Sequence, residues 1–366
     1  MKKTIVKIGI LSLLSMAIQA FAIPDVQPSD QNGYEQGYGI ENQLSPAYNA
    51  SARIATSGSW NANLWGSFIY FSPREEGLTL GGHYTSSNDT VNIIDTHFTF
   101  KPGFKVGAGF NLGHDSWVMG LSYLWFHNEH KTSSGALGTV ADQMIPFWNA
   151  QGTQEYISHL SSTWHLKMDL LDWEFSRPLY SGKYLTCSPV IGLRGGWIGQ
   201  KLNNYTTHYS AGTSLVSLNH HKQNSYLVGL RGAVDTRWVL GHGLRIFADL
   251  SAALFYQHFR NSMVEYNTLH PTTVYVRSPQ EKRNCVTPNL DLNGGLGYGC
   301  YLGKNNGCHM DLSLGYTFQI FWNQNRMRPL QTDIKSCDTT YFYAFPDSAI
   351  GDLFLQGLIA NARVDF

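Results

Sequence analysis

Between Lys101 and His127 the chain reads KPGFKVGAGFNLGHDSWVMGLSYLWFH and alternates almost without a break. Phe104, Val106, Ala108, Phe110 and Leu112 hold one parity, and Lys105, Gly107, Gly109 and Asn111 the other. That is the period of a strand with two unlike faces. After Gly113-His114-Asp115 the alternation restarts through Trp117, Met119, Leu121, Tyr123 and Trp125, which predicts a hairpin with one apolar, aromatic-tipped face. Such a face packs on a core in a soluble sandwich, or faces lipid in a transmembrane barrel.

The same pattern recurs along the chain. A first strand from about Trp60 to Ser72 precedes the hairpin. Further strands are predicted near 159–176, 184–200, 226–240, 244–256, 290–302 and 310–322, with a last one ending at Phe366. In 159–176 Trp164, Leu166, Met168 and Leu170 are in phase, whereas Leu171, Trp173 and Phe175 hold the opposite parity; this slip predicts a β-bulge at Leu170-Leu171. Long polar connections (127–156, 201–223, 259–286, 324–349) alternate with short ones (113–115, 177–183, 241–243, 303–307). The expected fold class is therefore all-β: a transmembrane antiparallel up-and-down β-barrel of about ten strands, with long outer loops and short periplasmic turns. A further hairpin near Leu78–Tyr84 would make it about twelve.

Charge placement separates barrel from sandwich. Arg194, Arg231, Asp235, Arg245, Asp249, Asp291, Asp311 and Arg363 lie opposite the apolar faces, where a wet lumen hydrates or pairs them. With Asp172, Glu174 and Arg177 they are the candidate lumen or pore-lining residues. They have two readings: a field across a pore that selects ions, or a salt-bridge network that fills a narrow barrel.

Composition agrees. Charged residues are only 14% of the 366 and balance to zero, while Tyr, Phe and Trp make up 13%. A helical membrane protein is greasier and a disordered chain lacks the aromatics. The neutral balance gives no reason to expect a nucleic-acid or acidic-lipid partner. Lys2, Lys3 and Lys7, the apolar run Ile8–Ile18 and Ala20-Phe21-Ala22 predict a cleaved export signal over residues 1–22. Residues 23–58, rich in Gln, Asn, Ser and Gly, read as a periplasmic lead-in or a segment folded into the lumen, and 59–366 as the barrel. An aromatic last residue, Phe366, behind Val364 and alternating apolar positions is the kind of C-terminal signal that barrel-assembly machinery reads.

Of 5 cysteines, Cys300 and Cys308 flank one short turn symmetrically. They are either a disulfide across that hairpin or two small apolar residues. Cys285 and Cys337 fall in outer loops, free to pair with each other or with another chain. No Cys-His spacing fits a metal, and no cofactor is expected. His127 and His130 beside Glu129, and His220-His221, are the only clusters from which an outer-membrane enzyme could be built; loop histidines at such spacings are ordinarily solvated surface. No G-x-S-x-G elbow is present. The glycines of Gly294–Gly299 lie inside an alternating strand rather than ahead of a helix, so they do not form a dinucleotide loop.

Three stretches resemble the Legionella-type major outer membrane protein family, pore-forming proteins also seen in chlamydia-like bacteria. These are Phe104–His127, with its Gly-rich strand and Trp-rich return; Trp164–Trp197, containing LKMDLLDWEFSRPLYSGKYLTCSPVIGLRGGW; and Leu355–Phe366. Asp172, Glu174, Arg177 and Arg194 are the polar positions that match. The resemblance implies a pore in the bacterial outer membrane and no particular solute. The expected partners are outer-membrane lipid, barrel-assembly machinery and small hydrophilic solutes, with a homo-oligomer left open. The expected function is passive diffusion of small solutes or ions, without catalysis. The competing expectation is a surface interaction or structural protein that uses the barrel as an anchor.

Overall fold

The computed structural model describes residues 50–366 except 55, 57–60, 88–89, 113–114, 140, 149–156, 211–212, 268–273, 303–306, 329, 335–339 and 345–349. The expected export signal, most of the lead-in, and Cys337 lie outside the described residues.

Ten strands close an antiparallel barrel. They are β1 (Ala62–Glu75), β2 (Lys101–Asn111), β3 (Val118–Gly135), β4 (Ile157–Ser176), β5 (Leu185–Ser210), β6 (Thr213–Gly241), β7 (Leu244–Asn267), β8 (Val274–Leu302), β9 (Cys308–Asn325) and β10 (Gly351–Asp365). Each pairs with the next, and β10 returns to β1 with Phe68 opposite Ala360 and Ser67 opposite Asn361. Closure leaves no edge strand in contact with lipid. The outward parity carries Leu64, Phe68 and Tyr70 on β1, Ile191, Leu193 and Trp197 on β5, and Leu292, Leu296 and Tyr298 on β8, all exposed. Pro189 is placed just past the end of the β4 ladder, which stops at Ser176 opposite Val190, so its missing N–H costs that ladder nothing.

Three expectations are corrected. There is no bulge at Leu170-Leu171: Leu170, Leu171 and Asp172 follow one another opposite Leu124, Tyr123 and Ser122 in unbroken register. Trp164, Leu166, Met168 and Leu170 instead face inward with Asp172 and are buried. The apolar signal changes face because the residues that β4 meets inside change from largely apolar to charged along the bore, while the backbone stays regular. Second, most of the polar stretches 201–223 and 259–286 are strand, because β5 to β8 continue well past the lipid-facing residues Trp197, Tyr226, Tyr256 and Val286. Outside the membrane neither strand face needs to be apolar, so the alternation fades. Third, Cys300 and Cys308 are free thiols: Cys300 sits opposite Met310 and Cys308 opposite Leu302, a diagonal relation. Diagonal neighbours stand about 7–8 Å apart, too far to bridge without moving backbone.

A hairpin does form in the first outer loop, Gly81–Thr85 with Thr90–Ile94, but it pairs with Asp142–Pro146 of the second loop and adds no strand to the barrel. A separate pair, Leu330–Ile334 with Thr340–Ala344, lies in the last outer loop. At the opposite rim Ala52 N donates to Pro178 O (3.0 Å), Ala50 O accepts from Tyr180 N (2.9 Å) and Arg53 Nη1 donates to Leu112 O (3.4 Å). The described end of the lead-in therefore runs along the short turns.

The core lies inside the barrel, in its outer half. Ile69, Phe71, Phe126, Trp164, Leu202, Phe255, Phe321 and Leu353 come from the wall, and Leu78, Trp148 and Met327 come from the outer loops. Each such side chain contributes about 1.5–3 kcal/mol by burial. In the other half, lumen-facing glycines make room for large neighbours: a Cβ on Gly107 would collide with the Trp65 ring, and one on Gly297 with the Arg245 guanidinium. Gly107→Val is therefore expected to destabilise the barrel by about 1–3 kcal/mol through overpacking. Trp65→Ala in the same chain should restore most of that loss, measured by denaturant unfolding in detergent micelles.

Candidate functional site

Strand alternation points two kinds of side chain into the bore. In the half nearer the short turns the inward parity is polar and encloses a cavity of about 320 Å³. Six cations (Lys105, Arg194, Arg231, Arg237, Arg245, Arg363) face five carboxylates (Glu174, Asp235, Asp249, Asp291, Asp311) around it. Ile69, Phe71, Leu124 and Ile359 bound it on the side of the apolar core.

Arg194 holds the centre. Its Nε and Nη2 donate to the two oxygens of Asp172 (2.6 and 3.0 Å), and its Nη1 donates to Asp291 Oδ2 (2.6 Å) and Asn289 Oδ1 (2.8 Å). The fork is bidentate on one carboxylate and extends to a second. Asp172 is the cross-strand partner of Arg194, whereas Asp291 belongs to β8, so the guanidinium ties β4 and β5 to a wall three strands away from β5. Asp291 also accepts from Ser251 Oγ (3.0 Å) and Asn289 Nδ2 (2.9 Å). Lys105 Nζ lies 3.5 Å from Asp172 Oδ2 and 5.3 Å from the Trp65 ring centre.

The other candidates surround this centre. Arg231 Nη1 donates to Glu174 (2.5 Å), Arg245 pairs with Asp311, and Arg363 Nη2 donates to Asp365 (2.5 Å). Asp235 and Asp249 sit directly opposite each other across β6 and β7, an unfavourable pairing of like charges. Asn293 Nδ2 donates to Asp249 Oδ2 (3.1 Å), and Arg231 and Arg237 share the Asp235 face. Arg177 does not join the lumen. It lies one residue past the end of β4 and staples two short turns, its Nη2 donating to Asp115 Oδ1 (2.5 Å). Arg237, Lys105 and Asn289 belong to the site as well; their inward parity was readable, but their partners were not.

The histidine clusters are dispersed, each ring held in a different setting. Asp169 is buried on the outer face, accepting from Tyr123 Oη (2.5 Å) and paired with His127 Nε2 (2.8 Å). Glu129 pairs with Lys131 (2.9 Å) and His165 (3.4 Å). His130 points inward against Trp164, and His221 meets Trp148 edge-on.

Outside the membrane, the apolar closure contains titratable groups. Trp148 Nε1 donates to Thr79 O (2.7 Å) and Trp148 O accepts from Asn219 Nδ2, which seats the ring over the lumen. Burial pushes His221 down to about 3, and burial with nearby Lys101 and His97 pushes His130 down to about 4. Burial holds Glu75, which accepts from Gln200 Nε2 (3.1 Å), well above the usual carboxylate range. The signs differ. Neutral imidazoles favour the folded state above their ordinary value, and that contribution is lost as pH falls from about 6.5 toward 4 and 3. The Glu75 contribution is present at low pH and is lost as pH rises through its raised value.

Arg194→Met leaves Asp172 and Asp291 without their cation and should cost about 3–5 kcal/mol; Asp172→Asn in the same chain should recover part of it, read from urea midpoints. The unfolding temperature should fall between pH 7 and pH 4, with a smaller fall in the double variant His130→Gln/His221→Gln. Glu75→Gln should raise it at pH 7, by roughly 1–3 kcal/mol of stability, because the buried carboxyl then no longer has to be neutralised or desolvated on folding.

A family model described as the Legionella pneumophila major outer membrane protein precursor matches residues 56–366. No curated protein matches the chain. Among solved structures, the outer membrane protease OmpT from Escherichia coli is 10% identical, with a TM-score of 0.43 over 87% of this chain and 99% of that one. A Pseudomonas aeruginosa FadL homologue is 7% identical, with a TM-score of 0.24 over 83% and 89%. The Pseudomonas putida toluene transporter TodX is 8% identical, with a TM-score of 0.24 over 84% and 90%. With a matching model that spans the whole barrel, this chain belongs to the Legionella pneumophila major outer membrane protein family and is a protein of the bacterial outer membrane.

Proposed function

We propose that the barrel is a narrow outer-membrane pore for small hydrophilic solutes or ions, closed at rest by an apolar gate. The observation that carries this reading is the division of the bore. A charged cavity ends against a buried apolar cluster completed by Leu78, Trp148 and Met327, which belong to outer loops and can withdraw without breaking a single wall pairing. Hydrophobic constrictions gate by excluding water, and rings of charge on the far side bias which ions pass. The near balance of cations and carboxylates supports weak selectivity.

Burial of Trp148 is worth about 1.5–3 kcal/mol, so withdrawing it shifts the closed-to-open ratio by roughly ten- to a hundredfold. In planar bilayers the native protein should open rarely, and Trp148→Ala should open at least about tenfold more often. Arg231→Gln should move the reversal potential under a salt gradient. A folded Trp148→Ala protein that never conducts would sink the pore. That outcome would favour a second reading supported by the long outer extensions of β5 to β8: a barrel that serves as an anchor for surface hairpins.

A further inference from the structure

Just above the lipid-facing band, the outer surface of β4 to β8 carries a row of cations. Lys167, Lys201, Lys222, Arg260 and Lys282 are all exposed. Lys167, Lys201, Lys222 and Arg260 have the outward parity, since Leu166, Leu202, His221 and Phe259, each one step along the chain, are buried inside, and Lys282 shares the parity of its direct partner Arg260 and of exposed Val286. The register makes the row continuous: Lys201 is the direct partner of Lys222, Arg260 is the direct partner of Lys282, and Asn224 on β6 faces Arg260. Directly opposed side chains on neighbouring strands stand about 4.5–5.5 Å apart at Cβ, where like charges destabilise.

Among the described residues no carboxylate relieves this repulsion. Among the described residues none is ion-paired with Lys167, Lys201, Lys222 or Lys282, and no Asp or Glu has the outward parity on β5 to β7. The outward carboxylates of the neighbouring strands are engaged elsewhere, Asp169 by Tyr123 and His127, Glu129 by Lys131 and His165. Beneath the row lie Trp197, Tyr226 and Tyr256, the aromatic border of the apolar band, and the Arg260 guanidinium rests 5.8 Å from the Tyr226 ring centre. The seam between β10 and β1 is different: there exposed Arg74 and Glu76 adjoin Asp352, so the charges are mixed.

We propose that the face formed by β4 to β8 binds the phosphorylated headgroups of outer-leaflet lipids. The cations accept the phosphates at headgroup height while the aromatic and aliphatic residues below pack on the acyl chains. The fixed height of the row and the unbroken apolar band under it select a lipid over a soluble anion. Each interfacial cation contributes on the order of a fivefold change in affinity.

The test uses the folded full-length chain in neutral detergent micelles, with lipid A, its dephosphorylated form and inorganic phosphate as separate probes, and retained ligand read by native mass spectrometry. Expected results are at least about tenfold preference for the phosphorylated lipid, weakening at about 0.5 M salt, and loss of at least about tenfold in K201Q/K222Q/R260Q/K282Q. Arg74→Gln should retain the lipid. If the fourfold variant does not fold, K201Q/K222Q and R260Q/K282Q are compared separately, each with a loss of at least about threefold. Equal retention of both lipids, unchanged binding by the folded variants, or inorganic phosphate binding as tightly as the lipid would each overturn the proposal.

Discussion

Every other feature of this molecule depends on the backbone having to satisfy its own hydrogen bonds in hydrocarbon. A lone unsatisfied N–H or C=O costs several kcal/mol there, and a sheet avoids this only by closing on itself. The pairing of β1 with β10, from Asn63 opposite Asp365 to Glu75 opposite Leu353, is the seam that achieves it. Once the wall is closed, alternate residues must face lipid and bore. The apolar stripe that begins with Phe104, Val106 and Phe110 is then fixed to the outside, and Lys105 to the inside.

A barrel of this size has little interior to spare, and two kinds of filling share it. In one half, charges are taken out of water and compensated in place, Arg194 by Asp172 and Asp291, Arg231 by Glu174, Arg245 by Asp311. Such pairs contribute little net stability but penalise the loss of one partner heavily, which gives the bore a specific set of cross-ties. In the other half, Phe71, Phe126, Trp164, Phe255 and Phe321 pack as in a soluble core. The same strands therefore serve as membrane wall outside and as core scaffold inside, and the outer loops add Leu78, Trp148 and Met327 to that core.

The outside is asymmetric around the barrel. The long strands β5 to β8 rise past the aromatic border and carry like-charged neighbours, while β10 and β1 carry mixed charge. Lateral surroundings are thus encoded on the wall as distinctly as the lumen is.

Local alternation was enough to establish the class of fold, the strands through the lipid band and the inward parity of Arg194, Arg231, Asp235 and Asp291, because a membrane imposes a period of two on any strand that crosses it. Phe366 and Val364 could be recognised only as a terminal pattern, and what reads them is a matter of partners rather than of this fold. The periodicity failed where its physical cause was absent. Beyond the membrane both faces of β5 to β8 are polar, so long strands looked like loops. Inside the outer half β4 meets an apolar cluster, so its apolar residues changed sides and imitated a bulge. Which carboxylate each arginine takes, why Arg177 leaves the lumen for Asp115, why Cys300 and Cys308 miss each other, and which loop residues close the bore were all decided by register and closure. These join positions far apart in the chain, and no local pattern carries that information.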